Sequence, residues 1–305
     1  MALLFDLVLA LTILAVAWRV IRTPDHFQAI VFFITFGLLL SLAWARLNSP
    51  DIALAEAAVG AGLAGVLLLD TLWAVTNKKR QKKQRHHTSL LFAFCLVLGL
   101  TLVFTVLQID TEMKGLATLI TASLHETSLQ YPVTAVLLDF RSYDTWLELG
   151  VLLAAVIGVM CVRRRKDVSG PLLPAPAEPV GSWLIRILLP VIILVGGYLL
   201  WLGAFAPGGA FQAGVVWAAG GVLLWQAGHH SLGALPAFLW RICLILGFVS
   251  FLFLAAAAEL RQDILLTHPS SKIWILVVEY AAALSIAFCL ASLVLGGLRS
   301  KHQKT

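Results

Sequence analysis

The sequence predicts an all-α, polytopic membrane protein, and three observations predict it. Apolar residues make up 60% of the 305 and charged residues only 12%, whereas soluble domains are roughly half apolar and about a quarter charged. Mean hydropathy is +0.92. The apolar residues gather into stretches of about 20, the length that crosses a bilayer as a helix. Finally, lysine and arginine concentrate in those connections that fall on one side of such a bundle.

About nine spans are predicted, at residues 2–21, 27–46, 51–75, 89–109, 143–162, 183–203, 209–228, 236–258 and 273–298. The first carries Asp6 and no basic leader, so it is expected to stay as a helix and not to be cleaved as a signal peptide. Six basic residues follow the third span (Lys78, Lys79, Arg80, Lys82, Lys83, Arg85), four follow the fifth in Arg163–Lys166, and Arg299, Lys301 and Lys304 follow the ninth. Nine crossings put all three clusters on one side, which is then the cytoplasm, with the N-terminus outside and the C-terminus cytoplasmic. The seventh span opens on Gly208, Gly209 and Gly214. A start of this kind can fray or re-enter as well as span.

Between the fourth and fifth spans lies a long external connection, 110–142. Met113, Leu116, Leu119, Ile120 and Leu124 recur there at helical spacing, suited to lying on a membrane surface. Its second part, Pro132 to Glu148, joins a short β-branched run to Asp139, Arg141 and Asp144, either an external charge network at a helix mouth or a solvated loop. Pro171, Pro174, Pro176 and Pro179 mark a linker over 169–181. Domains are therefore expected at 1–76, 77–168 and 182–305.

Several function classes are excluded. The net charge of +6 follows topology, and no aromatics interleave the basic clusters as a nucleic-acid platform requires. Anionic lipid headgroups suit those clusters better. Cys95, Cys161, Cys243 and Cys289 all fall in spans without close pairing, so neither disulfides nor zinc are indicated. Phosphate-loop, dinucleotide and zinc-protease motifs are absent. No cofactor and no enzymatic activity are expected. The absence of an internal repeat argues against a self-sufficient carrier with its substrate site between related halves.

What remains is the set of acids inside the spans. An ionisable side chain there is costly and usually faces a bundle interior or a water path. Glu56 lies on the order of 8 Å beyond Asp51 at about 1.5 Å per residue. Asp70, fourteen residues further on, falls within about 40° of it if about 100° per residue holds throughout. Gly60 lies on the same side, and the Gly60-Ala61-Gly62 stretch is where the helix can loosen into a π-bulge. Glu148 and Glu279 stand at similar distances from the starts of their spans, as does Asp6. Asp6, Glu56, Glu148 and Glu279 thus fall in one layer of the outer half of the membrane, able to form part of a cation or proton route. The alternative is that they reach interfacial water or pair with neighbouring helices. Arg186 and Arg241 read as snorkelling anchors, and no stable metal site is indicated, so Na+ would bind only transiently.

Three blocks of the sequence resemble known families. Pro50-Asp51-Ile-Ala-Leu-Ala-Glu56-Ala-Ala-Val-Gly60-Ala-Gly62-Leu resembles the MbhD-type domain, also found at the C-terminal part of MrpA in multisubunit Na+/H+ antiporters. Val133-Thr-Ala-Val-Leu-Leu-Asp139-Phe-Arg141-Ser-Tyr-Asp144-Thr, with Glu148, is similar to the MbhE-type segment. Ala206-Pro207-Gly208-Gly209-Ala-Phe211-Gln212-Ala-Gly214 and its surrounding spans resemble the MnhB/MrpB (MbhF) family, with Ala210 where a third turn glycine is usual. The resemblance implies NuoJ-like helices in the first five spans and a four-helix MrpB-like module in the last four. It implies a subunit of a cation/proton antiporter-like complex that contributes to ion translocation, in the plasma membrane of a bacterial cell. Its partners would be antiporter-like MrpA- or MrpD-type, NuoK-like MrpC-type and small Mrp-type subunits. The alternative it leaves open is a structural scaffold in a complex I-related assembly of the hydrogenase or CO2-uptake type.

Overall fold

The computed structural model describes residues 2–76, 88–108, 117–162, 179–228, 235–260 and 272–295. The basic clusters at 78–85, 163–166 and 299–304, the residues Met113 and Leu116, the histidine pairs His86/His87 and His229/His230, and the prolines Pro171, Pro174 and Pro176 lie outside the described residues.

All regular structure among the described residues is helical. Among the described residues, seven helical runs are long and apolar enough to cross a membrane: Leu3–Arg22, His26–Arg46, Pro50–Leu69, Ser142–Cys161, Val180–Leu202, Ala237–Ala257 and Ile273–Leu295. The expected fourth span appears as α5 (Thr88–Leu107), whose side chains from Ala93 onward are exposed on every face. The expected seventh span is shorter than predicted. Helix α10 (Ala210–Gln226) has 17 residues, and Gly209 stands outside it as N-cap at φ 114°. The glycine-rich start is therefore a turn in front of the helix, because a φ in that region suits glycine and few other residues.

In the first half, α1 (Ala2–Arg22) packs on α2 (His26–Arg46). Asp25 caps α2 by accepting from the Gln28 amide at 3.0 Å. Arg46 at the end of α2 grips Asp6 near the start of α1 through two bonds, 2.9 and 3.0 Å. The third run begins with Pro50 in the first turn of α3 (Pro50–Ala55), where its missing N–H is harmless. It then widens into a π-turn over Glu56–Leu63 and resumes as α4 (Ala64–Thr76). Contact with α2 is close: a Cβ on Gly37 would meet the Ala61 backbone N at 3.1 Å. Small residues permit that approach.

The connection before the fifth run is helical in both its described parts. A short α6 (Ala117–Ser123) leads into a 3-10 turn, and α7 (Pro132–Ala135) winds into a second π-turn, Val136–Phe140. The β-branched residues of that stretch are thus accommodated in helix, since Pro132 supplies a favourable start and packing outweighs their weak preference for strand. Helix α8 (Ser142–Val162) follows.

The second half is organised around α12 (Lys272–Leu295), which packs against α8, α10 and α11 (Ala237–Leu260), while α9 (Pro179–Leu202) lies on α10. A 61% share of the α12 span is buried, against at most 28% for any other run among the described residues. Again small residues set the spacing: a Cβ on Gly214 of α10 would stand 2.8 Å from the Ala283 carbonyl, and one on Gly247 of α11 would stand 3.0 Å from the Ala282 Cα. Phe251, Ile286 and Leu290 fill the core between them. Ser285 Oγ donates to the Leu244 carbonyl at 2.6 Å across α11 and α12. Ser285→Ala is expected to lower the stability of the detergent-solubilised protein by about 0.5–1 kcal/mol, read by thermal melting, since interhelical bonds of this kind contribute about that much.

Candidate functional site

Glu56 opens the π-turn. A π-turn bonds each N–H to the carbonyl five residues back, one more than in an α-helix, so the turn is wider and each residue rotates less. The Glu56 carboxyl lies along Gly60, where an added methyl would overlap it. Ala58, Val59 and Leu63 of the same turn pack against the core that holds Leu138, Val215, Val278 and Ala282. This directs the loosened segment toward α10 and α12. It also changes the count that joined Glu56 to Asp70. Eight residues wound this way put the chain beyond them behind a continuous α-helix by roughly 100° or more, so a count at about 100° per residue does not hold across them. The side chain of Asp70 itself lies outside the described residues.

Five residues before Glu56 stands Asp51, which the sequence offers as a depth marker and as part of the MbhD-type segment. Its Oδ1 accepts the Gly208 N–H at 3.0 Å and its Oδ2 accepts the Tyr131 hydroxyl at 2.5 Å. Beside this, the N–H groups of Gln130 and Tyr131 donate to the Ala204 carbonyl at 3.0 and 3.2 Å. Thr134 Oγ1 donates to the Gly203 carbonyl at 2.6 Å. Three stretches far apart in sequence therefore meet at one end of the bundle, on the Gly203–Gly209 turn. Burial, and then the bond to the Asp51 carboxylate, raise the Tyr131 phenol above its ordinary range. The phenol keeps its proton and remains a donor. Because the folded value is the higher one, the contribution of this bond is complete below about pH 10 and is lost only as pH rises through the raised value.

The turn itself is a knot of glycines. The Gly203 and Gly209 N–H groups both donate to the Leu199 carbonyl, at 3.2 and 2.9 Å. A Cβ on Gly203 would stand 2.6 Å from Gly209 Cα, and one on Gly208 would stand 2.5 Å from the Leu199 carbonyl. Pro207, Gly208 and Gly209 thus deliver the chain into α10.

Glu279 faces this knot from α12. It is 3% exposed, and it makes no hydrogen bond or ion pair with any described residue. A Cβ on Gly209 would meet Glu279 Oε1 at 3.7 Å and Gln212 Oε1 at 3.8 Å. The carboxyl therefore lies beside the N-terminus of α10, whose first amides lack helical partners and carry partial positive charge.

The other predicted acids sit elsewhere. Glu148 is on the exposed face of α8. Asp6 is held by Arg46. Arg141 pairs with Asp144 at 2.9 Å and donates to the Tyr143 hydroxyl at 3.3 Å; that bond and then the Asp144 charge raise its already high pKa. Asp139 falls in the second π-turn, half-buried. Sequence reasoning missed Asp51 and Tyr131 as site residues, as well as Thr134 and Gln212. The only local signal was an acid in the first turn of a helix, which is ordinary capping chemistry. Among the described residues no group of His, Cys, Asp and Glu is arranged to hold a metal ion.

Comparison with known proteins agrees with this architecture. Residues 11–76 match the family model for MbhD, a subunit of MBH, and residues 180–299 match the domain related to the MnhB subunit of Na+/H+ antiporter. No curated protein matches the sequence. Among solved structures, a chain of the Mrp complex from a Dietzia species aligns at TM-score 0.75 and 21% identity, over 98% of this chain. This chain spans 35% of the length of that one. A chain of the membrane-bound sulfane sulfur reductase, an archaeal respiratory membrane complex, aligns at TM-score 0.56 and 20% identity, over 69% of this chain and 97% of its own. The chain thus joins a segment that matches the MbhD model to one that matches the MnhB-related model.

Proposed function

We propose that this chain is a membrane subunit of a cation/proton antiporter-like complex and contributes carboxylates to its ion route. The observation that carries the reading is Glu279: a carboxyl 3% exposed, in a membrane span, with no partner among the described residues. Such a group is retained against a cost of at least a few kcal/mol. Glu56, beside the wide turn at Gly60 and Gly62, is the second station. Glu148, exposed on α8, is the point where the route passes to a neighbouring subunit. Asp6 holds Arg46 and serves to join α1 to α2, Arg141 and Asp144 order the mouth of α8 with Asp139 close by in sequence, and Asp70 remains a candidate at the far end.

In this reading the chain crosses the membrane nine times with its N-terminus outside, and an MbhE-type segment around Pro132 to Glu148 bridges the two matched domains. Its neighbours are antiporter-like, NuoK-like and small subunits of the same assembly, in a bacterial plasma membrane. It performs no chemistry on a substrate of its own. The name and alignments of the matched Mrp chain support this assignment.

Glu56→Gln tests it. In vesicles holding the assembled complex, cation-dependent proton exchange is expected to fall about tenfold or more, with assembly unchanged. Normal exchange by a normally assembled variant overturns the role of Glu56. A variant that fails to assemble, with residual exchange in proportion to the complex recovered, favours the scaffold reading instead.

A further inference from the structure

We propose that Asp51 is a positioning residue for Glu279. Its carboxylate, clamped by Tyr131, holds the Gly208 amide and so sets the Gly208–Gly209 turn and the start of α10 against the Glu279 carboxyl. The proposal rests on the reading of Glu279 as an ion-carrying group, and names the residue that governs its surroundings.

The chain of contacts is short. Asp51 uses both oxygens, one on the Tyr131 hydroxyl at 2.5 Å and one on the Gly208 N–H at 3.0 Å. Gly208 is followed by Gly209, whose missing Cβ leaves the space that Glu279 Oε1 and Gln212 Oε1 border at 3.7 and 3.8 Å. Gly209 at φ 114° caps α10 without a side-chain bond of its own. Within the turn, the Gly203 and Gly209 amides bond the Leu199 carbonyl and the Phe205 and Ala206 amides bond the Leu202 carbonyl. The bonds from Asp51, Gln130, Tyr131 and Thr134 supply the rest from outside. Of these side chains only Asp51 bonds an amide next to the N-cap. A carboxylate that accepts two donors has little freedom to leave either, so α3 and the entry to α10 move together. Glu56 is five residues beyond Asp51 on the same helical run. The latch therefore ties both proposed stations to one rigid corner.

Releasing the latch frees the Gly208–Gly209 turn that closes over Glu279, so an apolar carbodiimide, which attacks protonated carboxyls in apolar surroundings, reaches it more often. The experiment is mass-spectrometric measurement of dicyclohexylcarbodiimide adduct at Glu279 in the assembled complex, at fixed pH. Asp51→Ala is expected to increase the labelling rate about fivefold, the equivalent of losing one hydrogen bond. Asp51→Asn, which keeps an oxygen for the Gly208 N–H, is expected to stay within about twofold of the parent protein. Arg46→Gln, which breaks the Asp6 pair and none of the latch bonds, controls for general loosening and is expected to leave labelling unchanged. Where Asp51→Ala fails to assemble, Tyr131→Phe removes one clamp only and is expected to raise labelling about twofold. Labelling at the parental rate in an assembled Asp51→Ala or Tyr131→Phe complex overturns the proposal. So does an equal rise in Arg46→Gln, or a full rise in Asp51→Asn. Ion exchange is measured on the same vesicles. Raised labelling with unchanged exchange keeps the positioning role and removes the ion-carrying role of Glu279.

Discussion

Glu279→Gln is expected to lower ion exchange by the assembled complex about tenfold or more while leaving its melting temperature equal to that of the parent or above it. The two halves of this result have one cause. Glu279 is 3% exposed and has no hydrogen-bond or ionic partner among the described residues, so the cost of burying its charge outweighs what the amides at the start of α10 return. Glutamine keeps the volume and the polar end but carries neither proton nor charge. A group kept for packing would show the opposite pattern, with melting lowered and exchange reduced only as far as complex is lost. Vesicle exchange and a melting curve on the purified complex separate the two.

Gly203→Ala is expected to destabilise the chain by about 3 kcal/mol or more, enough to prevent assembly or to make the complex melt well below the parent. The added Cβ would stand 2.6 Å from Gly209 Cα, 2.8 Å from Gly209 N and 3.2 Å from the Gly208 carbonyl carbon. All three are backbone atoms, so no side-chain rotation relieves the overlap and the knot must open. Gly158→Ala in α8 is the matched control, because a Cβ there meets nothing within 4 Å. That change is expected to be neutral or slightly stabilising, by up to about 1 kcal/mol, as alanine is the better helix former. The same substitution type at two helical-bundle glycines thus differs through geometry alone. Equal melting of the two variants would show that the turn tolerates rearrangement.

Much of the bundle was legible because bilayer thickness constrains length so strongly. The second span, predicted at 27–46, is the helix His26–Arg46, and the fifth, predicted at 143–162, is Ser142–Val162. The acids Glu56 and Glu279 stood out for the same reason, being costly exceptions in apolar runs. What escaped was phase and tertiary pairing. The widened turn is expected at Gly60 to Gly62, but the face count treats it as absent, and a count that assumes about 100° per residue fails once the turn is passed. The 132–140 stretch was ambiguous because Val133, Thr134 and Val136 favour strand in isolation, whereas Pro132 and burial of Thr134, Ala135 and Leu138 favour helix in place. Asp51 was invisible as a site residue because its partners, Tyr131 and Gly208, lie 80 and 157 positions away. No local pattern announces a partner at that distance.

That separation has a consequence for how the protein is made. The helix carrying Asp51 leaves the ribosome long before Gly208 exists: 157 residues, at roughly 5–20 residues per second, amount to a wait of about 8–30 s. For the first half of that interval the carboxylate has neither of its two donors; Tyr131, 80 positions on, arrives first. The corner that shapes the surroundings of Glu279 consequently cannot close until the turn before α10 has been delivered to the membrane. A fault that delays that turn would leave an acid waiting, exposed to quality-control proteases before the route it belongs to has been built.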